Sequence, residues 1–406
     1  MKTPLALFNL WHQPAKTLVS IGGVAFALLL VFMQLGFMGA VSHTATNVLN
    51  NLQFDIAMRA RDYVHVYEPS QFERKWLQVA ASTRGVRKVK PTWITIHNWL
   101  KLPTAKELAA PKLEKKFETQ YLPIAIMAFE TQDKVFKLDA VLAQQTLLNS
   151  GQMVLVDQST QRDYGPLDGQ RFAGADIGRH TEIGGQKFEI GGLFKLGTGL
   201  AANGAVITSP VGFARIMPWD INRHVSIGLI DLEPGVNVEA AVADLNQRLR
   251  VGDGDDGSMA VEVLSRNSML QRESDRWLDQ TPIGLIFTLG VYLSLLVGAA
   301  IVYMVLATDV TNRLPEYATL MAMGYSRKYL ASIVMTQAVT LCLCGFVVTW
   351  GAAELLYRAT TYASGIPIAM NAPRVVIVLG LGLLMSCVSG LLALRKLWKA
   401  EPASLF

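Results

Sequence analysis

Four stretches of the chain are apolar along their whole length, and they bracket one long region of mixed polar and apolar pattern. The stretches run from Leu18 to Val41, Ile283 to Ala307, Tyr329 to Leu355 and Val375 to Leu394. A bilayer core of about 30 Å is crossed by roughly 20 predominantly apolar residues in a helix, so each predicts a transmembrane span. The first has an apolar region far longer than that of a secretory signal, and no small-x-small cleavage site follows it; it reads as an uncleaved helix.

The region between the first two spans alternates strand-like and helix-like patterns. Phe54–Arg59 and Val64–Tyr67 are short β-like runs, Pro69–Ser82 has helical character, and Val86–Leu102 reads as one or two strands. A second set follows later: a strand at Val225–Leu232, an amphipathic helix at Val238–Leu249 and a strand at Ala260–Leu264. Between the sets, Met153–Asp157, Lys187–Leu196 and Ala205–Thr208 are short strands in a glycine-richer segment. The expectation is one split α+β subdomain interrupted by a β-rich insertion. Ser268–Gln280 is a polar helix running toward the apolar Ile283, with Pro282 at the junction, a candidate for one continuous stalk into the second span.

The predicted organisation is an α-helical membrane protein with four transmembrane helices plus an α+β extracytoplasmic domain. Residues 1–41 form an N-terminal segment and the first span, and 42–281 the outer domain. Within the latter lie halves 52–137 and 219–267, an insertion at 138–218 and a stalk helix at 268–281. The second span (282–307), a loop (308–328), the third span (329–355), a short outer loop (356–374), the fourth span (375–394) and a tail (395–406) follow.

Composition adds little beyond this pattern: 51% of residues are hydrophobic and 17% charged, with a net charge of +5. No basic stripe interleaved with aromatics occurs, so nucleic acid is not an expected partner. The basic residues instead mark span ends. Lys2 and Lys16 precede the first span, Arg313, Arg327 and Lys328 lie in the loop after the second, and Arg395, Lys396 and Lys399 follow the fourth. Arg358 and Arg374 lie in the opposite loop. By the positive-inside rule, both termini and the 308–328 loop are cytoplasmic, and the large domain is periplasmic. Gly22, Gly23, Gly380, Ser386 and Gly390 are small residues suited to close helix approach, and Gln34 to a helix-to-helix hydrogen bond.

Catalytic chemistry finds no footing. Cys342, Cys344 and Cys387 all fall in apolar segments and read as small buried hydrophobes. His12, His43, His65, His97, His180 and His224 have no ligand spacing. Gly252–Gly257 (GDGDDG) lacks the ligand spacing and terminal Glu of a calcium loop and reads as a solvated turn. GGLFKLGTG at Gly191–Gly199 lacks the Gly-Lys-Ser/Thr ending of a phosphate loop, and no GxSxG or HExxH occurs. The chain is expected to be no enzyme and to hold no cofactor; if ATP drives it, another chain binds the nucleotide.

The most informative stretch is Thr308–Leu330. Pro315 suits a first helical turn, Glu316 favours the positive dipole end, Leu320, Met321 and Met323 supply an apolar face, and Gly324 is placed as a stop. A short amphipathic helix is predicted, and its residues alone leave open a connector lying on lipid or a docking element.

Arg313–Gly324 (RLPEYATLMAMG) resembles the signature of FtsX/MacB-type, or type VII, ABC permeases, as does the closing Arg395–Leu405 (RKLWKAEPASL). Thr281–Gly290, Ile190–Leu196, Ile301–Tyr303, Leu314–Gly324 and Val24–Phe37 are similar to the DevC permease family in particular. The resemblance implies an outer domain of MacB type, with porter-like and inserted β-rich parts, in a homodimer in the bacterial inner membrane. It implies a coupling helix that docks a separate ABC ATPase through Arg313, Leu314, Pro315, Glu316, Tyr317, Leu320, Met321, Met323, Gly324 and Tyr325. It further implies a periplasmic membrane-fusion adaptor and, through it, a TolC-like outer-membrane duct, with lipid-like or other cargo moved by relayed motion. Two alternatives share the architecture: a transducer that activates a periplasmic hydrolase, and a lipoprotein-releasing permease.

Overall fold

The computed structural model describes residues 14–109, 120–197, 199–251, 261–364 and 368–399. Lys2, His12, the Gly252–Gly257 turn, the Ala260 start of the last expected strand and the Pro402-Ala403 ending lie outside the described residues. The chain divides into two compact units, Val41–Trp277 and the combination of Met1–Ala40 with Leu278–Phe406.

The first unit is organised by one nine-stranded sheet. Its strands are β1 (Ile56–Ala60), β3 (Val86–Leu100), β4 (Tyr121–Phe129), β5 (Met153–Asp157), β6 (His180–Ile183), β7 (Gln186–Phe194), β8 (Ala205–Thr208), β10 (Ile227–Leu232) and β11 (Val261–Ser265), while β2 (Phe72–Glu73) and β9 (His224–Val225) pair separately. The order is β11-β1-β10-β3-β4-β8-β5-β7-β6. β3 joins the two ends of the sheet: Val86–Thr92 pairs with β10 on one side, and Thr92–Leu100 with β4 on the other.

Side-chain alternation sends successive residues to opposite faces, and both faces are covered. Ile56, Met58, Ile124 and Ile126 join one core with Trp76, Leu77 and Leu245 from helices Lys75–Ala81 and Val238–Val251. Ala57, Ala125, Met127 and Phe129 join the other with Val48, Leu49, Phe136 and Met269. Strands at the centre are accordingly buried throughout, as in β8 and β10, whereas β7 next to the edge alternates.

This sheet revises the expected split. The strands of 138–218 do not form a sheet of their own; β8 pairs in parallel with β4, from Ala125 against Ala205 to Ala128 against Thr208, and extends the same layer. Val64–Tyr67 is no strand but a turn closed by a bridge between His65 and Glu68. Of Pro69–Ser82 only Lys75–Ala81 is helical, because Phe72 and Glu73 are drawn into pairing with Val225 and His224. Val86–Leu102 resolves into one strand.

The polar stalk is helical from Arg266 to Asp279, and the expected continuation into the second span is interrupted. Thr281 is extended (φ −117°, ψ 155°), and Pro282 opens a new helix. The proline ring disfavours a helical conformation in the residue before it and supplies no N–H to continue the ladder.

The second unit is built on four long helices, Pro14–Asn51, Pro282–Asn312, Arg327–Ser364 and Ala372–Lys399, each apolar and long enough to cross a membrane. They exceed the predicted spans: at 1.5 Å per residue helices of these lengths reach about 42–57 Å, well beyond a hydrocarbon core of about 30 Å. Gly23 lies against Ile301, Gly298 against Met385 and Gly390 against Met335, so close that a Cβ would collide. Gly22 and Gly380 touch nothing comparable and take no part in this packing. Gln34 lies over Gly290. Hydroxyl-to-backbone bonds tie the helices: Thr349 Oγ1 donates to the Ala25 carbonyl at 2.9 Å, Ser389 Oγ to that of Ala299 at 2.8 Å, and the Tyr357 hydroxyl to that of Phe32.

Candidate functional site

Between the second and third long helices the chain makes a nine-residue helix, Leu314–Ala322. Arg313 ends one helix and starts the next: its N–H donates to the Asp309 carbonyl at 3.1 Å, and its own carbonyl accepts from the Tyr317 N–H at 3.0 Å. Pro315 occupies the first turn, where its missing N–H costs nothing, and Glu316 sits with it near the positive end of the helix dipole.

The far end is a two-bond stop. Gly324 has φ +89°, its N–H donates to the Met321 carbonyl at 3.0 Å, and the Tyr325 N–H donates to that of Leu320 at 3.0 Å. These are the two bonds of a Schellman motif, in which a glycine takes the left-handed position. Tyr325 stacks on Tyr329 at the start of the third long helix, ring centroids 5.1 Å apart.

One face of the short helix is fixed to the ends of the long ones. Tyr317 and Ala318 are buried, with Leu314, Leu320 and Met321 partly covered. Tyr317 packs in a cluster with Val310 from the second long helix, Leu330, Ile333 and Val334 from the third, and Leu394 from the fourth. Among the described residues the Tyr317 hydroxyl has no hydrogen-bond partner, and burial, with the Asp309 carboxylate adding, pushes its pKa up to about 12.

The expected apolar face needs adjusting. Helical periodicity from Tyr317 places 314, 318 and 321 inward, while Met323 falls past the last turn and is 63% exposed. Pro315, Glu316, Thr319, Met323, Gly324 and Tyr325 face outward.

Arg313 braces the elbow. Its Nε donates to Asp309 Oδ1 at 3.0 Å, and its Nη1 lies 3.5 Å from Glu316 Oε2. Asp309 Oδ2 in turn accepts from Gln337 Nε2 at 3.1 Å. Burial pulls the guanidinium pKa down, but the hydrogen bond and charge of Asp309 outweigh it and hold Arg313 above its usual range. The brace thus joins the second long helix, the short helix and the third long helix.

All ten residues expected at the site fall on this elbow, the short helix and its glycine stop, divided between a buried or partly covered set and an exposed set. Asp309 and Gln337 were missed. Asp309 carried a signal, four residues before Arg313 on one helix. Gln337 carried none, since only packing of the third helix brings it there. Among the described residues, no group of three or more His, Cys, Asp or Glu side chains is placed to hold a metal ion.

A membrane-embedded helical unit carrying a braced, partly exposed loop helix, together with a large sheet domain, defines the class. Residues 288–402 match the sequence model of the FtsX-like permease C-terminal family. This region covers the short helix and most of the last three long helices, and it is similar to FtsX-like permeases; the match does not extend to the sheet domain. No curated protein matches the chain. Among solved structures, the periplasmic region of MacB from Actinobacillus actinomycetemcomitans aligns with 9% identity over 56% of this chain and 95% of that one, with a TM-score of 0.34. The extracellular domain of the noncanonic ABC-type transporter YknZ from Gram-positive bacteria aligns with 13% identity over 52% of this chain and 99% of that one, with a TM-score of 0.33. TM-scores of this size do not establish a shared fold.

Proposed function

We propose that this chain is the permease subunit of an ABC exporter of DevC type, and that the exposed side of Leu314–Ala322 docks a separate ATPase. The observation that carries the reading is the brace. A helix tied through Arg313 and Asp309 to Gln337, and through Tyr317 to three long helices, passes a displacement to the spans, whereas a connector resting on lipid has no use for such fixation.

In this reading the chain hydrolyses nothing itself. Two copies sit in the inner membrane with both termini and the loop in the cytoplasm and the sheet domain outside. Closure of the ATPases on ATP moves the loop helices, and the long helices relay the motion to the outer domains. Cargo then passes through a membrane-fusion adaptor to a TolC-like duct. The FtsX-like match also suits a transducer that uses the same relay to activate a periplasmic hydrolase and moves no cargo.

The test is Glu316→Lys in the reconstituted complex. Glu316 is 65% exposed, and its ion pair with Arg313 contributes at most about 1 kcal/mol, so folding survives its loss. Insertion and dimerisation are expected to be normal, with ATPase association or coupled hydrolysis lost. Unchanged substrate-stimulated ATP hydrolysis would overturn the docking assignment. Transport assays in reconstituted vesicles separate export from transduction.

A further inference from the structure

Gln34 is the one amide in the first span, and the helix-to-helix hydrogen bond expected of it is not made within this chain. Its side chain lies on Gly290 of the second long helix, where an added Cβ would come within 2.5 Å of the amide. Neither Oε1 nor Nε2 has a hydrogen-bond partner among the described residues, and neither is enclosed, the residue being partly exposed. Where Phe37 stacks on Phe287, ring centroids 5.6 Å apart, the two helices close on each other. At Gln34 the amide stays at the surface of the helical unit, its donor and acceptor unused.

The depth makes this costly. Gln34 precedes Val41 by seven residues, so it lies about 10 Å inside that end of the predicted span. Water is absent from the hydrocarbon, acyl chains carry neither donor nor acceptor, and headgroups lie beyond the reach of the side chain. The missing partner must be another protein surface at the same depth.

The surroundings fix its kind. On the second long helix, Ile286, Leu293 and Val297 stand four residues before, three after and seven after Gly290, hence beside it on one face, and all three are exposed. On the first, Leu30 and Phe26 stand four and eight residues before Gln34; Leu30 is partly exposed and Phe26 exposed. No Asp, Glu, Lys or Arg occurs in Leu18–Val41 or Ile283–Ala307. A second copy can therefore meet this face without bringing like charges together. Contact about a twofold axis sets a residue near the axis against its own counterpart. An amide suits that place because it is self-complementary, with both a donor and an acceptor.

We propose that the first and second long helices of two copies pack face to face around Gln34, each Nε2 donating to Oε1 of the other copy. The proposal rests on the two-copy assembly described above and names its contact within the membrane; it does not rest on docking of an ATPase. Gly290 leaves the room in which the amide sits, and the apolar side chains around it keep lipid from the paired amides.

The test is sedimentation equilibrium of the whole chain in detergent micelles. The unaltered protein is expected to be dimeric. Gln34→Leu adds no polar group and no helix breaker; it is expected to fold normally and to dimerise about three- to tenfold more weakly, as for side-chain bonds between membrane helices. Gln34→Asn keeps the amide and is expected to recover part of the loss. A second readout uses bis-maleimide cross-linking in membranes, in a Cys342→Ala, Cys344→Ala, Cys387→Ala background. Phe26→Cys is expected to be joined between copies, and Val347→Cys, exposed on the third long helix, is not. Undiminished dimerisation of Gln34→Leu, or cross-linking through position 347 and not 26, overturns this contact and leaves the two-copy reading standing. Loss of a co-purifying lipid from Gln34→Leu at unchanged dimer affinity also overturns it, in favour of a lipid against the amide. An unaltered protein that stays monomeric overturns both.

Discussion

Tyr63 donates its hydroxyl proton to Oε2 of Glu273 at 2.6 Å, closing the 61–68 turn onto the stalk helix. The Val66 N–H donates to the other carboxylate oxygen at 3.0 Å, and Glu273 is only 1% exposed. Burial raises its pKa above the usual carboxylate value, and the bonds from Tyr63 and Val66 and the charge of Arg59 only partly oppose this. A group whose folded pKa is raised stabilises the fold fully below its unfolded pKa, and the contribution is lost as pH climbs through the folded value.

The sheet domain is therefore expected to hold the 61–68 turn more tightly when acidified from neutrality toward about pH 4.3, the ordinary glutamate value. Hydrogen exchange of that turn in the full-length protein, corrected for the intrinsic rate, reads the effect. Glu273→Gln is expected to flatten the pH dependence; equal slopes for the two proteins would refute the assignment.

A second prediction concerns Lys90, whose side chain is 1% exposed at the middle of the sheet. Its Nζ donates to both oxygens of Asp231, at 2.9 and 3.0 Å, and to the Gln53 carbonyl at 2.7 Å. Lys90→Met leaves Asp231 buried with the half-exposed Arg87, 3.5 Å away, as its remaining counter-ion among the described residues. A loss of about 3 kcal/mol is expected, since breaking one side of a buried pair strands the other charge. Thermal unfolding checks this, and Lys90→Met with Asp231→Leu is expected to cost less than the sum of the two single changes.

Gly324→Ala isolates backbone strain at the elbow. Nothing lies within 4 Å of the added Cβ, so the cost is that of the left-handed conformation alone, about 1 kcal/mol. Limited proteolysis is expected to cut more readily after the short helix, with the sheet domain unaffected. Gly324→Asn is expected to restore most of the resistance, because asparagine tolerates that conformation.

Asp309→Asn tests the brace without changing its shape. Arg313 loses its closest carboxylate and keeps Glu316 at 3.5 Å. If the brace transmits motion, ATPase stimulation by cargo falls roughly tenfold, about the effect of losing one charge-assisted bond, while binding of the ATPase persists. Equal loss of binding and stimulation would place Asp309 in the docking surface instead.

Several elements were legible because their signals are local. Met153–Asp157 and Ala205–Thr208 are strands with the expected bounds, and the short helix starts beside Pro315 and stops before Gly324 as its punctuation requires. The stalk was misread at its end because polar helical pattern outweighed Pro282. The short run at Val64–Tyr67 was misread because β propensity says nothing about whether a neighbouring strand is free to pair.

What this sequence determined by itself was one-dimensional: four apolar stretches long enough to span, the period of each strand, and a loop helix bounded by Pro315 and Gly324. These follow from length, alternation and backbone chemistry, which each segment carries alone. Tertiary structure alone decided that Ala125 pairs with Ala205, making one sheet of two expected subdomains, and that Gln337 reaches Asp309. It also decided which side of the loop helix is anchored, through Tyr317. Such pairings join residues far apart in the chain, and they are selected by packing both faces of the sheet and by satisfying buried polar groups, conditions that no single segment contains.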